Sequence, residues 1–174
     1  RHLPFVTIDP RTAKDFDDAV CLIEEDGKRT LWVAIADVAH YIEPETLLDD
    51  EARARATSVY LPHAVLPMLP SRLSDNLCSL RAKVPRLAMT VSMEIENDCT
   101  IGKVAAFESI IEVQENLSYE DALDNPKFQN MMDLAEELRR NEIRLNLNSA
   151  ELRPRVHEDE ITVNVKWPNK ATEM

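Results

Sequence analysis

Apolar positions come in short runs separated by turn residues, and the spacing predicts more strands than helices. Phe5, Val6 and Ile8 predict a strand over Val6 to Asp9, with Asp9 delivered at its end. Asp17 to Glu25 alternates loosely and runs into Asp26-Gly27, a hairpin signal because glycine tolerates the positive φ of such turns. Thr30 to Val38 returns as a nearly all-apolar central strand. From Pro44, Leu47, Leu48, Ala52, Ala54 and Ala56 interleave with Asp and Arg, which predicts an amphipathic helix ending near Thr57. Pro62, Pro67, Pro70 and Pro85 make the next stretch irregular, and it is expected to be well packed. Leu87 to Glu96 and Ile101 to Val113 alternate as two long strands joined by Asn97-Asp98-Cys99-Thr100. Ser118, with Asp121 three residues on, reads as the N-cap of a short helix, and Asn125-Pro126 opens another. In that helix Phe128, Met131, Met132, Ala135 and Leu138 share a face, with Glu136, Glu137, Arg139 and Arg140 opposite. Ile161, Val163, Val165 and Trp167 alternate as a strand ended by Pro168, paired with Arg153 to Val156 across His157 to Glu160. Strands alternate with helices, yet hairpins recur. The expected fold is therefore α+β, with a mixed, largely antiparallel sheet packed with helices.

Composition narrows the class without naming a chemistry. The 174 residues are enough for one domain with a core, and 44% hydrophobic with 30% charged residues is ordinary for a globular chain. No stretch reaches the ~18 uninterrupted apolar residues of a membrane span, and no membrane partner is expected. The chain opens without Met and stops at Ala171 to Met174, in what looks like a new helix, so it reads as a piece of a longer polypeptide. Cys21, Cys78 and Cys99 are too few and too scattered for a CxxC metal site, and a reducing cytoplasm suits them. The net charge of −12 is the wrong sign for a stand-alone nucleic-acid binder, whose phosphate contacts need surplus Lys and Arg.

Candidate chemistry concentrates in Thr7 to Val20, where Asp9, Asp15, Asp17 and Asp18 lie between two apolar runs. Carboxylates at the edge of a core are costly without partners, and only Arg11 and Lys14 lie inside the cluster. A Mg²⁺ or Mn²⁺ ion would offset the charge, since hard divalent cations prefer clustered carboxylate oxygens. A solvated acidic loop is the other reading of the same residues. A calcium loop of the EF-hand kind fits worse, because the glycine at position six and the glutamate at twelve are missing. Asp37 and His40 follow the central strand; a lone His there is more often a packing residue than a ligand. Tyr60 before Leu61-Pro62 reads by itself as a core residue with its hydroxyl at the surface, and Tyr119 as a helix-packing residue.

Four motifs in order carry a resemblance: Asp9-x5-Asp15-x-Asp17-Asp18, Leu31 to Ile42 (LWVAIADVAHYI), Thr57 to Pro62 (TSVYLP) and Leu66 to Leu80 (LPMLPSRLSDNLCSL). Together they resemble the catalytic (RNB) domain of the ribonuclease II and ribonuclease R family. The resemblance covers essentially residues 1–174 as the N-terminal part of that domain, with flanking OB-fold domains absent. It implies processive 3′ to 5′ exoribonuclease activity on single-stranded RNA, releasing nucleoside 5′-monophosphates with Mg²⁺ (Mn²⁺ possible). It also implies that Asp9, Asp15 and Asp18 serve the metal, that hydrolysis depends most on Asp17, and that Tyr60 and Tyr119 face RNA. The family's catalytic arginine and the rest of its RNA clamp lie in the remainder of the domain, so the isolated piece is expected to be weak or inactive. A non-catalytic RNA-binding module with a nuclease-like fold is the alternative; retention of all four aspartates argues against it.

Overall fold

In a computed structural model, residues 3–140, 150–157 and 160–172 are described. A six-stranded mixed sheet forms the body. Its strands are β1 (Val6–Asp9), β2 (Asp18–Glu25), β3 (Lys28–Ala36), β6 (Pro85–Ile95), β7 (Ile101–Glu112) and β8 (Glu115–Ser118), in the order β7-β6-β3-β2-β1-β8. Every neighbouring pair is antiparallel except β1 with β8, whose parallel register sets Asp9 opposite Ser118. Asp26 and Gly27, both at positive φ, close the β2–β3 hairpin as the sequence predicts. Between β3 and β6 run helix α1 (Leu47–Arg55) and a small hairpin of β4 (Val59–Tyr60) with β5 (Val65–Leu66). Helix α2 (Tyr119–Leu123), a 3₁₀ turn (Pro126–Phe128) and helix α3 (Gln129–Arg140) follow β8. A separate hairpin pairs β9 (Glu151–His157) with β10 (Glu160–Lys166).

Two apolar clusters hold the sheet. One gathers Phe5, Ala19, Cys21, Ala34, Ala36, Leu80, Ala88, Ile111 and Val113. The other packs Phe128 and Met132 onto Val6, with Ile8, Val20 and Leu117 around them. Because side chains alternate along a strand, successive Phe5 and Val6 serve the two clusters on opposite faces. Alanines at 19, 34, 36 and 88 let the crossing segment that carries Leu80 approach closely. That contact places the segment behind the acidic stretch.

Expectations for three segments need correction. The proline-bearing stretch is not packed throughout: Val59, Tyr60, Leu61, Val65 and Leu66 are exposed, and burial begins only at Cys78. It also contains a π-type turn, Leu73–Leu77, at a position where prolines suggested no regular structure. Helix α1 is capped by Thr46 and buries only Ala52, with Leu47 open to solvent, so its apolar face packs little. Helix α3 buries Leu134 beside Met131 and Met132, a position outside the face read from the sequence.

Candidate acidic site

Asp9 leaves the sheet at the end of β1, Asp18 enters it at the start of β2, and residues 10–17 form the loop between them. Strand pairing thus fixes two of the four carboxylates, and the loop brings Asp15 and Asp17 toward them. The charges feel one another. Burial pushes the Asp9 carboxyl up to about 6, with Asp18, Asp15 and Asp17 adding to the rise and a hydrogen bond with Thr7 opposing it. Asp17 is open on one side, yet desolvation, then Asp15 and Asp18, raise its carboxyl above the ordinary range. One oxygen of Asp9, Oδ2, is buried and has no hydrogen-bond partner.

The two basic residues inside the stretch do little for this charge. Arg11 turns to the neighbouring helix start, donating to Ser118 Oγ at 3.2 Å and Asp121 Oδ1 at 3.1 Å. Among the described residues, no three His, Cys, Asp or Glu side chains converge closely enough in this conformation to enclose a cation. The donor set nevertheless fits a hard divalent ion: carboxylate oxygens only, proton affinities at Asp9 and Asp17 raised by burial and then by neighbouring charge, and an inward oxygen that nothing in the protein satisfies.

Tyr60 stands on the exposed β4–β5 hairpin with 65% of its surface open, so it is not the core residue its context suggested. Its hydroxyl donates to Asp15 Oδ2 at 2.7 Å, and that bond pushes the phenol up to about 12. Tyr119 follows Ser118, the residue opposite Asp9, and its ring lies under the Lys166 ammonium at 4.9 Å. Asp37 accepts from the His40 backbone N–H at 3.1 Å, and the His40 ring is exposed and meets the neighbouring Tyr41 ring edge-on, so it is not the packing residue its context suggested. Arg53 and Arg55 pair with Asp49 and Glu51 at 2.8 Å, as helix-surface partners.

The family model described as the RNB domain matches residues 1–166. The chain belongs to the RNB family. Among RNB proteins, Ribonuclease R of Vibrio parahaemolyticus is 47% identical over 120 residues, covering 68% of this chain and 14% of the relative. Ribonuclease R of Chlamydia muridarum is 41% identical over 144 residues, covering 78% and 21%. The structure of Mycoplasma genitalium RNase R in complex with ribose methylated single-stranded RNA superposes with a TM-score of 0.87 at 30% identity, over 98% of this chain and 30% of that one. The chain thus spans a minor part of the length of the relatives it matches. Yeast Ssd1, described as a pseudonuclease, has the same fold at 21% identity and a TM-score of 0.68.

The RNB site also contains residues that sequence reading passed over. Thr7 and Ser79 are fully buried polar side chains in contact with the acidic loop or with Asp9, and Asn116 joins Thr7 to the carbonyl of Leu80, the residue after Ser79. A polar residue inside an apolar run, such as Ser79 within Leu77-Cys78-Ser79-Leu80, is the signal that points to them.

Proposed function

We propose that this RNB chain supplies the acidic part of a 3′ to 5′ exoribonuclease that hydrolyses single-stranded RNA to nucleoside 5′-monophosphates, with Mg²⁺ as cofactor and Mn²⁺ as substitute. The observation that carries it is the buried Asp9 oxygen without a partner, in a carboxyl whose proton affinity is raised by burial and then by the neighbouring charges of Asp18, Asp15 and Asp17. Asp9, Asp15 and Asp18 would hold the ion, which when bound would supply Lewis-acid stabilisation of charge on the scissile phosphate. Asp17, open to solvent beside them, accepts a hydrogen bond from the attacking water and orients it. Tyr60 offers an exposed ring on the β4–β5 hairpin, beside Asp15, for the 3′-terminal base, and stacking is indifferent to base identity. Tyr119, at the start of α2 next to the residue opposite Asp9, contributes a second RNA contact.

The −12 charge is consistent with RNA arriving through other parts of the polypeptide. The proposal therefore includes the rest of the catalytic domain and OB-fold domains as partners of residues 1–174, acting in the cytoplasm. Among the described residues no helix is long and apolar enough to cross a membrane. The alternative, a non-catalytic RNA-binding module, has the Ssd1 fold in its favour.

Calorimetric titration with Mg²⁺, beside digestion of a 5′-labelled oligoribonucleotide, decides between them. For Asp17→Asn in the active polypeptide, metal affinity is expected to stay within a few-fold while hydrolysis falls about 10²–10⁴-fold. RNA binding without metal uptake in the unsubstituted protein would instead favour the non-catalytic module.

A further inference from the structure

We propose that Ser79 is the positioning residue of the acidic site, an inference that rests on reading the four aspartates as metal-binding. Its hydroxyl donates to the Lys14 carbonyl at 2.7 Å and accepts from the Phe16 N–H at 3.1 Å, so a single side chain grips the loop backbone on both sides of Asp15. The grip continues on either side. The Leu80 N–H donates to the Phe16 carbonyl at 2.8 Å, and the Ala36 N–H to the Asp17 carbonyl at 2.8 Å. Ser79 is itself held, since its carbonyl accepts from Arg86 Nε at 3.0 Å.

The same segment reaches Asp9 by a second route. Asn116 Nδ2 donates to the Leu80 carbonyl and to Thr7 Oγ1, both at 3.0 Å, while its Oδ1 accepts from the Ala82 N–H at 2.7 Å. With an acceptor position of Thr7 so occupied, the Thr7 hydroxyl proton is free for Asp9, with which it is hydrogen-bonded. Thr7 and Ser79 are both fully buried, where a broken bond leaves an unsatisfied group and is costly. Four like charges in one place repel, and a loop free to move would separate them. The frame from Ser79 through Leu80 and Asn116 to Thr7 opposes that separation, and partners of this kind around metal ligands typically alter affinity 10–100-fold.

The test uses Ser79→Ala, Ser79→Cys and Ser79→Thr. Cysteine nearly preserves the packing but is a weak hydrogen-bonding group, so it removes the bonds without opening a cavity, and it stands in if Ala fails to fold; Thr keeps the hydroxyl. Mn²⁺ affinity is read by electron paramagnetic resonance of the free ion, and the Phe16 amide by hydrogen exchange without metal. The expected result is a roughly tenfold or greater loss of Mn²⁺ affinity in Cys and Ala, with faster exchange at Phe16, unchanged exchange in the β2–β3 ladder, and recovery of both readouts in Thr. Wild-type affinity and Phe16 exchange in Ser79→Cys would overturn the proposal. So would acceleration at Phe16 that is matched throughout β2 and β3, which would make Ser79 only structural. If the unsubstituted chain takes up no Mn²⁺, the metal reading fails while exchange at Phe16 still decides whether Ser79 clamps the loop.

Discussion

Asp9 carries its carboxyl at a cost in stability. Its folded carboxyl titrates near 6 against an ordinary 3.8, so between these values the folded state binds more protons than the unfolded one. The contribution is fully present below pH 3.8 and lost as pH rises through about 6. Asp9→Asn removes that titration. In chelator above pH 6, denaturant unfolding is expected to find the variant more stable by up to about 3 kcal/mol, and unable to take up Mn²⁺. A variant equally stable at pH 7.5 would mean that Asp9 is not strained by its neighbours. Tyr60 divides in the same manner into ring and hydroxyl. Tyr60→Phe loses the bond to Asp15 but keeps the ring, so affinity for a short oligoribonucleotide should hold, whereas Tyr60→Ala should lose about 1–3 kcal/mol of binding.

At the scale of elements, the junction of β8 and α2 does double work. Ser118 sits opposite Asp9 in the parallel pair and also caps α2, exchanging hydrogen bonds with Asp121 in a capping box. Arg11 reaches across from the acidic loop to both residues, which ties the loop's first half to the helix start. Ser118→Ala should therefore cost about 1 kcal/mol in chemical unfolding, the ordinary price of an N-cap. The same variant frees Arg11 from one of its two partners, and hydrogen exchange in residues 10–13 should rise with it. Gly27 is simpler. It sits at φ +73° with open space around it, so Gly27→Ala meets no atom but must adopt a left-handed backbone, and a loss of about 1 kcal/mol is expected from strain alone.

For the whole molecule, a bound ion acts by mass action. Mn²⁺ at 100 times its Kd should stabilise the folded chain by about 2.7 kcal/mol, which for a chain of this size is a rise in Tm of about 5–10 °C, absent in Asp9→Asn. Thiol labelling reads the same equilibrium. Cys99 is partly accessible, though its thiol donates to Glu137, while Cys21 and Cys78 are buried and burial pushes Cys21 up to about 11. One thiol should label in the native state and two only on global unfolding, more slowly with Mn²⁺ present. Rapid labelling of Cys21 would mean that the sheet opens locally between β2 and its neighbours.

Local periodicity and turn chemistry determined most of the sheet: Val6–Asp9, the Asp26-Gly27 hairpin, the two long strands and the Ser118 cap are short-range features, written in neighbouring residues. The acidic cluster was legible for the same reason, since all four aspartates fall within ten positions. Tertiary structure alone decided the rest. It turned Arg11 away from the four aspartates to Asp121, exposed Tyr60 and joined its hydroxyl to Asp15, and brought Ser79 to a loop more than 60 residues away and Asn116 to Thr7, 109 residues away. Hydrogen bonds across such separations depend on which strands pair and which faces are buried, and no local pattern of residues encodes that.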